Sequence, residues 1–131
     1  MKKISVGLIL LVALGLSACT SSVEDDTIAV SSPAVNSLVQ SPLEVTGKAR
    51  GQWFFEGSFP IEIVDANGEV LGQKYVQSLD NWMTEDFVDF RGEIEFSSPK
   101  TETGTLILSA DNPSGLPQND RSIEIPVIFK K

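Results

Sequence analysis

From Thr27 onward the chain alternates apolar and polar residues in short runs. Leu43, Val45, Gly47 and Ala49 alternate with Glu44, Thr46, Lys48 and Arg50, the period of two expected of a strand with one face buried. Ile28 and Val30 begin the same pattern, which Ser31-Ser32-Pro33 closes, and Phe59, Ile61 and Ile63 repeat it against Pro60 and Glu62. Asp65-Ala66-Asn67-Gly68 then reads as a hairpin turn, because Asn and Gly both tolerate positive φ. Val70 to Val76 is the returning strand, with a weaker pattern. Phe90, Gly92, Ile94 and Phe96 face away from Arg91, Glu93 and Glu95, and Leu106-Ile107-Leu108 reads as a more deeply buried strand. Ile123, Ile125, Val127 and Phe129 complete the series, with Pro126 placing that strand at an edge because proline donates no hydrogen bond. About seven short strands between Pro, Gly, Asn and Ser clusters, with no sustained helical period, predict an all-β antiparallel sandwich.

The first 26 residues follow a different logic. Lys2 and Lys3 precede a 13-residue uncharged run from Ile4 to Leu16, the length of a signal-peptide core and too short to span a bilayer. Leu16-Ser17-Ala18-Cys19 follows and resembles the lipobox of bacterial lipoproteins, which implies cleavage before Cys19, a diacylglyceryl thioether on its sulfur and an acylated, palmitate-type N-terminus. The expected organisation is a signal peptide over 1–18, an acidic tether over 19–26 and one domain over 27–131. Such a protein is held by lipid at the cell membrane or outer membrane, with its domain on the extracytoplasmic side. Cys19 is the only cysteine, so the sandwich has no disulfide and relies on its apolar core.

Charge and composition narrow the chemistry. The chain carries 10 Lys and Arg, 18 Asp and Glu, and no histidine. Without Lys2 and Lys3 the remainder has a net charge of −10, which repels nucleic acids, anionic polymers and anionic lipid headgroups and leaves an envelope protein or a neutral cell-wall polymer as the expected partner. Absence of histidine removes the commonest general base and the commonest zinc ligand. No glycine-rich phosphate loop is present, and no cofactor is expected.

Two segments break the alternation: Trp53-Phe54-Phe55-Glu56-Gly57-Ser58-Phe59-Pro60, and Asp80 to Phe90 with Trp82-Met83-Thr84-Glu85-Asp86 at its centre. Together they hold both tryptophans and five of the seven phenylalanines. One reading assigns their aromatics to the core, since each ring buries about 150 to 250 Å². The other makes them a binding patch of Trp53, Phe54, Glu56, Trp82, Glu85 and Asp86, where rings stack on a sugar polymer or peptide and carboxylates accept hydrogen bonds. Glu56, Glu85 and Asp86 also have the chemistry of a paired-carboxylate glycosidase, and Asp80, Glu85, Asp86 and Asp89 offer hard oxygen ligands for calcium, whereas Asp65-Ala66-Asn67-Gly68 imitates part of a calcium loop without its regular ligand spacing. No catalytic residue and no metal site is assigned.

The order of these features carries a further resemblance. Ile28-Ala29-Val30-Ser31-Ser32-Pro33, Ser41 to Ala49, the Trp-Phe-Phe-Glu segment, the Asn-Gly hairpin, the Trp-Met-Thr-Glu-Asp-Phe segment and Ile123-Glu124-Ile125-Pro126-Val127 resemble the immunoglobulin-like domain of bacterial spore-germination lipoproteins. The resemblance implies an exported, lipid-anchored, non-catalytic interaction module of the cell envelope. It brings no catalytic residues with it.

Overall fold

A computed structural model describes residues 22–131; the leader and the Cys19 lipidation motif lie outside them. Eight strands follow one another: β1 (Ile28–Ser32), β2 (Ser37–Val39), β3 (Leu43–Arg50), β4 (Ser58–Asp65), β5 (Val70–Ser78), β6 (Phe87–Ile94), β7 (Thr103–Ser109) and β8 (Ser122–Phe129). The anticipated runs all form strands. β2 is the addition, missed because it has three residues and points Leu38 at solvent, leaving Val39 alone to face inward.

The strands form one sheet in the order β1-β3-β6-β5-β4-β7-β8-β2. That sheet curls into two facing layers because β5 turns the corner. β5 pairs with β4 along most of its length but with β6 only at Gln77 and Ser78. Its exposed middle, Gln73 to Tyr75, explains the weak pattern: Leu71 and Val76 are its buried apolar positions, an odd five residues apart. Across the gap Phe59 of β4 meets Phe90 of β6 edge-on at 5.1 Å, and Phe96 meets Phe129 of β8 at 5.8 Å. The core between the layers is built from the inward positions of the alternating runs, among them Val45, Ile61, Ile63, Leu106, Leu108 and Ile125.

β1 pairs antiparallel with β3, whereas β2 pairs parallel with β8. The two ends of the sheet order are therefore one extended segment that passes from layer to layer at Pro33–Asn36. This corrects the expectation that Pro126 marks an open edge: β2 covers the last three residues of β8, and the Pro126 carbonyl accepts the Asn36 N–H at 2.7 Å. The Asp65 hairpin differs in detail as well. Gly68 N–H donates to the Asp65 carbonyl, and only Gly68 takes a positive φ, of 85°, so the connection is a three-residue loop rather than a two-residue turn.

The acidic segment expected to be a free tether is docked from Val23. Glu24 bridges Ala29 antiparallel, Val30 N–H donates to the Val23 carbonyl at 2.9 Å and Asp25 N–H to the Ile28 carbonyl at 2.8 Å. Asp25 Oδ1 accepts from Thr27 N–H, Thr27 Oγ1 and Ile28 N–H. Partial burial pushes the Asp25 carboxyl up, but these bonds and the charge of Arg121 outweigh it and hold the group below its ordinary value.

Candidate functional site

The two segments that broke the alternation meet at one end of the sandwich, where β3 ends and β6 begins. After Arg50 the chain makes a single 3-10 turn, Gly51–Trp53, and this shifts the phase of the pattern. Trp53 and Phe54 both turn inward, while Phe55 is 45% exposed. Trp53 is completely buried: it meets Phe59 edge-on at 5.2 Å, and its Nε1 donates to Thr27 Oγ1 at 2.9 Å. Phe54 lies 5.3 Å from the same Phe59 ring. Trp53 and Phe54 are thus core residues, and neither offers a face for stacking on a ligand. Strict alternation would have forced one of them outward; the tight turn removes that requirement.

Phe55 and Ser58 exchange both backbone hydrogen bonds across Glu56-Gly57, with φ of 55° and 81° at the two central residues. Such a tight turn normally carries Asn-Gly. Here an exposed glutamate occupies the left-handed position, at a cost of about 1 to 2 kcal/mol for a side chain that gains no local hydrogen bond there.

The second segment folds over the first. Trp82 is half-buried, with its Nε1 edge above Gly57. The backbone oxygens of Trp82 and Thr84 come so close to Gly51 that a β-carbon there would lie 2.3 and 1.9 Å from them. Arg50 closes the junction by donating from Nε to the Asp26 carbonyl at 2.9 Å and from Nη1 to the Glu85 carbonyl at 3.0 Å. Its guanidinium also lies 4.3 Å from the centre of the Phe87 ring, on which Lys48 Nζ approaches to 5.1 Å. Within the segment, Asn81 Oδ1 accepts from Met83 N–H and Thr84 Oγ1 from Asp86 N–H. A third loop docks alongside, with Asp111 N–H donating to the Trp53 carbonyl at 3.1 Å.

Of the six residues anticipated as a patch, Trp82 reaches the surface in part and Glu56, Glu85 and Asp86 are exposed. Among the described residues, none of these carboxylates pairs with a basic side chain. Arg50 binds carbonyls, and Arg91 bridges Glu44 at 2.5 Å on the outer sheet face. The end therefore keeps an uncompensated negative charge. It also presents apolar side chains that pattern reading could not rank, Leu79 at 62% and Met83 at 74% exposure. Gly51, which joins the segments, was missed; a glycine directly after a clean strand was the available signal. Among the described residues, no group of three or more acidic, cysteine or histidine side chains is placed to hold a metal ion.

A family model described as the immunoglobulin-like domain of bacterial spore germination, Gmad2, matches residues 27–116. The chain belongs to this family. The match begins beside Ile28 and runs through β7 and into the loop that follows. β8 lies beyond it yet pairs with β7 over seven residues, completing the second layer. No curated protein and no solved structure matches the chain.

Proposed function

We propose that this protein is a lipid-anchored component of the bacterial cell envelope, attached through Cys19, whose Gmad2 domain binds a partner protein through its loop end, in a setting related to spore formation or germination. The observation that carries this reading is the joining of two loops over a buried Trp53 base, so that exposed Phe55, Leu79 and Met83 share one end with Glu56, Glu85 and Asp86. Apolar side chains held on a fixed base desolvate at little entropic cost, and a surrounding acidic rim selects against acidic partners. Confinement to a membrane raises the effective concentration of other anchored proteins, so the contact need not be tight by itself.

The test uses the full-length protein in its host, with a photo-crosslinking residue at position 83 or, as control, at Thr46 on the outer sheet face. A discrete protein adduct at 83, absent at 46 and lost in Leu79→Asp, is expected. Equal adducts at both positions, or sedimentation of the protein with purified peptidoglycan that is lost in Trp82→Ala, would transfer the function to another surface or to a wall polymer. Palmitate labelling that disappears in Cys19→Ser checks the anchor separately.

A further inference from the structure

We infer that the docked N-terminal segment orients the domain on an anionic bilayer, with the loop end outward and the opposite end, bearing Lys100, Lys130 and Lys131, against the lipid. The inference rests on the proposed lipidation of Cys19 but concerns which surface meets the membrane, which that anchor does not specify.

The argument begins with chain direction. β1 runs away from the loop end, and Val23 to Asp25 runs antiparallel beside it, so the chain approaches Val23 from the far end of the sandwich. Val23 stands abreast of Val30, which is paired with Gly47 of β3. From Gly47 to Leu43, where β3 begins at the far end, is four residues, or about 13 Å of strand. From Cys19 to Val23 is also four residues, so the lipidated residue lies at most about 14 Å from Val23, enough to reach the far end.

The loop end lies opposite to the direction from which the chain arrives. It starts three residues in the other direction, at Arg50, about 10 Å away, and the three loops extend beyond it. A lipidated cysteine on a link of four residues would have to reverse direction and pass these loops to bring them to the bilayer. The link is too short for that.

Charge acts in the same direction. Asp26, Glu56, Asp80, Glu85, Asp86 and Asp120 gather at the loop end against Arg50 and Arg121. At the far end Lys100, Lys130 and Lys131 line one groove with Phe129 and Glu102, while Asp65, Glu69, Glu93 and Glu95 lie in the turns and strand ends beside it, so that end is only weakly acidic. In a chain this acidic, a weakly acidic end with three lysines in one groove is the end least repelled by anionic lipid.

The experiment uses the full lipidated protein in vesicles of phosphatidylcholine and phosphatidylglycerol. With Cys19 blocked by lipid, a cysteine introduced as Ser98→Cys, in the far-end loop, or as Met83→Cys is the sole free thiol for a fluorophore. Quenching by headgroup-nitroxide lipid should be at least threefold stronger at 98 than at 83, and Lys100→Glu with Lys130→Glu and Lys131→Glu should at least halve it at 98. Equal quenching at the two sites, or stronger quenching at 83, overturns the orientation, and undiminished quenching in the triple variant overturns the role of the lysines. Flotation of the vesicles reports the anchor independently: protein that stays behind with an unmodified Cys19 refutes lipidation, not orientation.

Discussion

Gly51 is where the two aromatic segments touch, and replacing it with alanine tests whether their union is built into the fold. A β-carbon at this position would lie 1.9 Å from the Thr84 oxygen and 2.3 Å from the Trp82 oxygen. Ordinary carbon–oxygen contacts begin near about 3.3 Å, so the 82–84 backbone must retreat by more than about 1 Å. Neither oxygen belongs to a side chain that can rotate away. Alanine would stiffen the unfolded chain, a gain of about 0.4 to 1 kcal/mol. Overpacking costs about 1 to 3 kcal/mol and is worst against rigid neighbours, so the clash wins with a net loss of about 2 kcal/mol. For a domain of this size that is a fall in Tm of roughly 8 to 12 °C. The structure also specifies where the strain goes. Retreat of the segment lengthens the bond from Arg50 Nη1 to the Glu85 carbonyl and lifts Trp82 from Gly57, while Trp53, fully buried behind Phe59, stays shielded. Acrylamide quenching of the tryptophan emission should therefore rise for one of the two tryptophans, and calorimetry should show the lower Tm. A Gly51→Ala protein with unchanged Tm and unchanged quenching would refute the claim that the two segments form one packed unit.

Two further outcomes follow from the same end of the molecule. Glu56 occupies a left-handed position that suits asparagine better, so Glu56→Asn should raise stability by about 0.5 to 1 kcal/mol in urea unfolding while weakening crosslinking at position 83; lower stability would show that the strain is not there. Asp25 is held below its ordinary value of 3.8, so its charge stabilises the native state fully above that value, and the contribution is lost as pH falls through the lower folded value. The Tm gap between wild type and Asp25→Asn should be constant near neutral pH and close in acid; a gap that persists or widens in acid contradicts the assigned bonding.

The parts of this structure legible in the sequence are those where one strand face is buried along its whole length. In β3, β4, β6 and β8 the period of two, imposed by the pleat, reports directly which side chains meet the core. Where the chain leaves that regime the signal fails for identifiable reasons. β5 turns a corner and buries only Leu71 and Val76, and β2 is too short to display a period. A single 3-10 turn buries Trp53 and Phe54 together, so two of the six residues of an apparent binding patch are core.

By itself, the amino-acid sequence determined an all-β sandwich without a disulfide, an acidic domain and two aromatic segments outside the strand pattern, because these depend on composition and on neighbours along the chain. Only the tertiary structure decided that the segments join, which of their side chains face solvent, and from which end the N-terminal segment approaches. Those outcomes depend on contacts between residues far apart in the chain, such as Gly51 with Thr84, Thr27 with Trp53 and Val30 with Gly47. A linear pattern records that a side chain is apolar; which neighbour covers it is settled only when the sheet closes.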